Sequence, residues 1–306
     1  MRFPYSPLTQ VLGCSPAALA RAVRPLAAPV LAASRAGERV LVGQAGESPQ
    51  LYELASVTKA FTAALAGALV RAGALEWATP LSQLGGPFRS LPAFVTVYAL
   101  CTHTAGLPTH PFRTGLTAVL DYYAPYRSLD QAAAVRSAQR WAARPGRLVY
   151  SNLGAGLLGC ALAYVAGEPY AAALRRWVTG PLGLDSVTVA ASAPGATNFG
   201  VLTGAGGLWA SPLDLLRFGE AHLQGTLGWD WGQVVTPPGR PAHIDEVAPG
   251  WFVSGGVWWH DGVARRSRAG LGFCPHSGAV FCVLARSGGP GNAVYAALQA
   301  ALRPER

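Results

Sequence analysis

Lysine occurs once in this 306-residue chain, at position 59; the other 23 of its 24 lysine-plus-arginine positions are arginine. Arginine keeps its proton in any protein environment, whereas lysine can lose it. A position that takes the single lysine is one where the proton itself, or a compact shape, matters. Ser56 stands three residues earlier, so the two side chains share one helix face. The run from Ala60 to Val70 is almost wholly apolar, and burial in it would lower the lysine pKa. Such a lysine beside a serine hydroxyl is a means of activating that serine as a nucleophile. The same pair also admits a plain reading, with Lys59 in an ion pair and Ser56 capping a helix.

A second polar cluster, Tyr150-Ser151-Asn152, follows the turn signal Arg144-Pro145-Gly146 and precedes an apolar run from Leu153. It therefore falls at a loop–helix junction, where polar side chains can reach a cleft. Tyrosine can carry a proton if a nearby cation lowers its pKa from about 10. Asparagine offers both a donor and an acceptor to an amide or ester. Here too a structural role is open, with the tyrosine packed on the core and Asn152 as a cap.

The elements that must position these groups follow from periodicity and punctuation. Ala17 to Leu26 reads as an amphipathic helix. Val30 to Ala33 and Val40 to Val42 flank Arg35-Ala36-Gly37-Glu38 as a β-hairpin. Ser56 to Ala72 is a helix, apolar on nearly every face and ended by Gly73. Pro80 to Gly115 is rich in loops; Leu129–Ala143, Leu153–Ala166 and Tyr170–Val178 are helical. Short β-like runs then surround Val253, Val257 and Val280–Leu284, and Asn292–Leu302 is a closing helix. This order predicts an α/β protein of the α+β type. Residues 1–52 and 190–306 form a sheet domain, residues 53–189 an inserted, mainly helical one, and the site lies at the seam.

Composition narrows the function classes. Hydrophobic residues make up 51%, enough for a large core, and charged residues only 13%. The formal charge is +9, but the arginines are scattered, the tightest groups being Arg175-Arg176 and Arg265-Arg266 with Arg268, and no run of about five like charges occurs, so no nucleic-acid partner is expected. Ala60–Val70 is too short to span a bilayer, and no membrane partner is expected. Five widely spaced cysteines suggest neither a disulfide framework nor a metal site. The polar, proline-rich start lacks a signal-peptide core, and Val11-Leu12-Gly13-Cys14 is only a weak lipoprotein-like match, so a cytoplasmic location is expected. Gly154-Ala155-Gly156-Leu157-Leu158-Gly159 matches a dinucleotide-binding pattern in its letters. No strand leads into it, so it reads as small residues that let helices approach. His103 reads as a loop residue holding the wall of the site.

Taken together, Ser56-Val57-Thr58-Lys59 and Tyr150-Ser151-Asn152 resemble the serine β-lactamase and penicillin-binding-protein superfamily. The branch most similar holds class C β-lactamases, D-alanyl-D-alanine carboxypeptidases and β-lactamase-like esterases. His103-Thr104-Ala105-Gly106-Leu107, Gly180-Pro181-Leu182-Gly183-Leu184 and Ala205-Gly206-Gly207-Leu208 are similar to stretches of that branch as well. The resemblance implies an antiparallel sheet flanked by helices with a helical insertion, a β-lactamase/transpeptidase-like fold. It implies Ser56 as nucleophile, Lys59 as its base, Tyr150 as proton carrier to the leaving group, and Asn152 as a substrate contact. It implies no cofactor, and a small ester, amide or lactam as substrate. The oxyanion hole would be the backbone N–H groups of Ser56 and Leu271.

The family's third motif is Lys or His, then Ser or Thr, then Gly, on a strand lining the site. Arg268-Ala269-Gly270 and His276-Ser277-Gly278 compete for it. The second lies between two apolar runs and reads as a hairpin turn, so Arg268 and Gly270 are the expected substrate contacts. The hydroxyl missing at Ala269 favours an esterase-like hydrolase. The alternatives are a β-lactamase or D-alanyl-D-alanine carboxypeptidase, or a catalytically silent ligand-binding module of the same fold.

Overall fold

The expected hairpin forms: β1 (Val30–Arg35) and β2 (Glu38–Val42) pair across the turn Ala36-Gly37. The architecture comes from a computed structural model, which describes residues 5–43, 50–111, 124–189, 196–227, 233–286 and 289–303. The other edge of β1 pairs with β10 (Ala279–Arg286), Val30 opposite Leu284. The sheet continues through β9 (Ser267–Cys274), β8 (Val257–Ala264), β7 (Trp251–Ser254) and β6 (Glu246–Ala248). All neighbours are antiparallel, in the order β2-β1-β10-β9-β8-β7-β6. The beginning and the end of the chain thus share one sheet.

Helices cover both faces, which is why β10 is buried at every position but its last. On one face Asn292–Leu302 and Pro16–Val23 pack with Phe281 and Val283. On the other, Pro212–Leu223 sits over Leu271 and Val280. Beyond it runs the central helix, Thr58–Arg71, whose residues from Thr58 to Leu69 are all buried. Hydrophobic burial of this kind is the main driving force of the fold.

A small second sheet, β3 (Tyr52–Glu53), β5 (Leu208–Ala210) and β4 (Thr188–Val189), joins the two parts of the molecule. The boundary drawn at 52/53 falls on this sheet, and that at 189/190 at its end; residue 190 itself lies outside the described residues. The larger apolar cluster runs from Leu271 and Val280 through Phe61 to Leu157. One core therefore serves both the sheet and the helical part.

The apolar helix after Tyr150-Ser151 spans Asn152–Ala166 and is capped by Ser151, whose Oγ accepts from the Gly154 N–H at 2.8 Å. Its glycines work as spacers. A Cβ on Gly156 would lie 2.5 Å from Leu202 Cβ, and one on Gly159 3.1 Å from Gly204 Cα. This approach brings the 3₁₀ segment Gly200–Ala205 against the helix. The expected helix at Leu129–Ala143 starts at Gln131, because the Asp130 carboxylate accepts from the Ala133 N–H. The one at Tyr170–Val178 changes to a π turn at Arg175–Thr179. Of the expected loop, residues 112–115 lie outside the described residues. Among the described residues the sequence reading missed the short helices Val97–Cys101 and Ala124–Arg127 and two longer ones, Ser6–Leu12 and Pro212–Leu223. The last had a signal, Ser211-Pro212 before Asp214, since the Ser211 Oγ accepts from the Asp214 N–H. No single described helix is both long and apolar enough to cross a membrane.

The glycine spacing is testable. Gly156→Val should lower the unfolding free energy by about 1–3 kcal/mol, the cost of overpacking a tight contact. Urea denaturation would measure it, and an unchanged midpoint would show that the two segments have room to spare.

Candidate active site

Ser56 is placed by a strained turn. Ala55 has φ 46°, a left-handed value that costs a residue with a Cβ about 1–2 kcal/mol. The turn Ala55–Val57 then leads into the central helix, with the Ser56 side chain half-buried at the mouth of a cavity of about 500 Å³. That volume suits a small molecule. Ser56 caps no helix here: the turn has no side-chain cap bond.

Beneath it, Lys59 Nζ lies 2.9 Å from Ser56 Oγ, 2.7 Å from Asn152 Oδ1 and 2.7 Å from the Ala205 carbonyl. The last two atoms are acceptors only. Lys59 is buried, with no carboxylate within ion-pair distance among the described residues. Burial pushes its pKa well below the usual lysine range, and the more distant Asp261 offsets this in part. A neutral amine has two N–H groups and one lone pair. The two N–H groups satisfy Asn152 and Ala205, and the lone pair then accepts the Ser56 hydroxyl proton. The same three oxygens also accept the three N–H groups of an ammonium, so it is burial that tips the balance toward the neutral form.

Tyr150 closes one side, its ring centroid 4.8 Å from Lys59 Nζ. His103 holds it there. The His103 carbonyl accepts from the Val149 N–H at 2.9 Å, and its Nδ1 accepts from the Ser151 N–H at 3.3 Å. The rings of His103 and Tyr150 are 4.5 Å apart. Burial, with Lys59 and His260 adding to it, pushes His103 well below the usual histidine range, so the ring is neutral. The expected wall role of His103 agrees with these contacts.

The structure brings Ser56, Lys59, Tyr150 and Asn152 together, but not Arg268, Gly270 or Leu271. β9 lies inside the sheet, with β8 and β10 on its two edges. Leu271 sits opposite His260 on one side and Cys282 on the other, so its backbone is spent in the sheet. A Cβ on Gly270 would point at Val294 of the closing helix. The Arg268 guanidinium donates to the carbonyls of Gly289, Ala264 and Ser267. His276-Ser277-Gly278 lies in the turn from β9 to β10, with the Ser277 carbonyl accepting from Arg35.

The strand beside Ser56 is β8. β7 pairs only with Val257–Trp259, so among the described residues no strand pairs with that edge of β8 from His260 onward. A Cβ on Gly262 would lie 2.2 Å from the Leu54 carbonyl oxygen and 3.1 Å from Ser56 N, so only glycine permits this approach. The two-residue turn Arg265-Arg266 closes on Ala264 opposite Ser267. Alternation from that pair turns the N–H groups of Asp261 and Val263 away from β9, toward the open edge. His260-Asp261-Gly262 was missed in the sequence. Its signal was a histidine and a glycine two apart, with a carboxylate where a hydroxyl was sought.

The site's ionisable groups share one cause. Burial, with Lys59 adding to it, pushes His260 down to about 3 and His110 down to about 4. His260 Nδ1 lies 2.8 Å from the Asp261 carbonyl and donates to it. Burial pushes the Asp261 carboxyl up to about 6, against the pull of its own backbone N–H and of Lys59.

Comparisons with known proteins show the family and the fold. The model of the Beta-lactamase family matches residues 24–304. D-alanyl-D-alanine-carboxypeptidase/endopeptidase AmpH of Escherichia coli (strain K12) is 26% identical over 261 residues, 74% of this chain and 67% of that protein. The fold is similar to a class C beta lactamase from Rhodobacter sphaeroides, TM-score 0.74 at 21% identity, over 93% of this chain and 98% of that one. It is also similar to a D-stereospecific amidohydrolase from Streptomyces sp., TM-score 0.73 at 22% identity, over 95% and 97%. These likenesses bear out the expected β-lactamase/transpeptidase-like fold.

Asp261 should weaken the fold at neutral pH. Its folded pKa of about 6 lies above the 3.8 of a free carboxyl. The folded state therefore holds the proton more tightly, and stability falls as pH rises through that window. Asp261→Asn should gain up to about 3 kcal/mol at pH 8, and less at pH 5. Denaturation at the two pH values measures this, and an equal effect at both would show that the carboxyl titrates normally.

Proposed function

The chain belongs to the beta-lactamase family, and we propose that it is a serine hydrolase that forms an acyl-enzyme on Ser56 from small ester or amide substrates. The observation that carries this reading is the buried Lys59 amine, 2.9 Å from Ser56 Oγ and held by two acceptor-only groups. In acylation, Ser56 Oγ bonds to the substrate carbonyl carbon as its proton passes to Lys59 Nζ. The bond to the leaving group breaks, and that group leaves with a proton routed through Tyr150, whose ring lies over Lys59. Water then attacks the acyl-enzyme with the same groups acting in reverse.

Acyl transfer also needs donors aimed at the developing oxyanion. In place of Leu271, we assign the backbone N–H of Val263, with that of Ser56. Val263 lines the cavity, and strand alternation turns its N–H to the edge facing Ser56. Apolar Leu148, Ile244 and Phe252 line the cavity as well and suit the acyl chain. The names of the similar proteins, an amidohydrolase and a carboxypeptidase among them, support an ester or amide as substrate.

p-Nitrophenyl butyrate and a fluorophosphonate probe test the reading. Ser56→Ala should lose both ester turnover and labelling while keeping its thermal transition; labelling as strong as in the wild type would place the nucleophile elsewhere. Lys59→Arg keeps the charge but cannot accept a proton, so kcat/KM should fall by about 10²-fold or more. Near-normal turnover would show that charge alone suffices. Because Lys59 must be neutral to act, turnover should drop as the pH falls through its lowered pKa. That acid limb should be absent from the residual activity of Lys59→Arg.

A further inference from the structure

The cavity has a charge balance unlike that of the chain, which has 24 basic and 15 acidic side chains. Among its described lining residues there is no lysine or arginine, and there is one aspartate, Asp261. Lys59 lies beneath Ser56, outside the lining, and burial drives it toward the neutral form. His110, which does line the cavity, is neutral for the same reason. The Asp261 carboxylate accepts from its own backbone N–H. No other hydrogen bond or ion pair reaches it among the described residues, and its companions in the lining include Ile244, Phe252 and Val263.

A carboxylate in such surroundings is poorly solvated and gains most from a ligand that brings its own cation. A second carboxylate at the same place would meet like charge across a medium of low dielectric. Asp261 is adjacent in sequence to Gly262, whose backbone abuts Ser56 N. A cation held by Asp261 therefore lies close to the scissile carbonyl.

We infer that Asp261 selects substrates with an ammonium group close to the scissile bond and rejects those with a carboxylate there. The inference rests on the serine-hydrolase reading and narrows its substrate class. Aminoacyl amides and esters, or esters of amino alcohols, fit the site. β-Lactams, and peptides with a free carboxylate beside the scissile bond, do not.

Two matched pairs of probes test it. Phenylalanine p-nitroanilide is compared with 3-phenylpropionyl p-nitroanilide, and butyrylthiocholine with 3,3-dimethylbutyl thiobutyrate. In at least one pair the wild type should prefer the cationic member by at least about tenfold in kcat/KM, chiefly through KM. Asp261→Asn, or Asp261→Thr if the first folds poorly, should lose that preference. If no probe is turned over, thermal shifts make the same comparison. Phenylalanine amide should stabilise the wild type more than 3-phenylpropanamide does, and the variant should show no such difference. No preference in either pair, or one that survives substitution of Asp261, overturns the inference. Loss of fluorophosphonate labelling at Ser56 strikes instead at the hydrolase reading, so the two failures are distinct.

Discussion

A nitrogen atom buried without a counter-ion is the constraint on which the rest of the site depends. Lys59 Nζ has three oxygen neighbours, from Ser56, Asn152 and Ala205. Each comes from a different segment, brought in by a different device. A left-handed Ala55 presents Ser56, and a serine cap sets the start of the helix that carries Asn152. Glycine contacts along that helix admit the segment ending at Ala205. Charging the amine is disfavoured, because an ammonium there would cost desolvation that the more distant Asp261 offsets only in part. The lysine is useful because it is poorly placed as an ion.

Much of this was legible in the sequence. The lone lysine, three residues after a serine and before an apolar helix, announced both its burial and its partner. The hairpin at Arg35–Glu38 and the helices at Ser56–Ala72, Leu153–Ala166 and Asn292–Leu302 were set by local pattern, and the fold follows them. The third motif was missed for a physical reason. Whether a strand can offer its N–H groups to a substrate depends on which of its edges is open, and that is a property of the whole sheet. β8 and β9 are similar in length and burial, yet β9 has neighbours on both sides while β8 outruns β7. No local pattern distinguishes them. His260-Asp261-Gly262 was further disguised by its carboxylate.

The same edge explains how the sheet and the helical layer meet. β8 can approach the turn at Ala55–Val57 only because Gly262 has no side chain, and the turn holds its shape only because Ala55 accepts a left-handed backbone. Strain on one side is matched by an absent side chain on the other. His103, also left-handed at φ 58°, plays the corresponding part for Tyr150. Such backbone strain persists only where its surroundings enforce it, and here it gathers at the reacting groups.

The pairing of β1 with β10 has a consequence for biosynthesis. Arg35 is opposite Ala279 and Val30 opposite Leu284, so the hairpin emerges from the ribosome about 250 residues ahead of its neighbour. At about 5–20 residues per second, that is a delay of about 12–50 s. Throughout it, Val30–Ala33, buried in the finished protein, has no strand to cover its inner edge. The outer strand, β2, begins with the exposed charges Glu38 and Arg39, which discourage pairing with another chain, but the inner edge has no such guard. Until β10 has been made, that inner edge stays open to pairing with a strand of another chain.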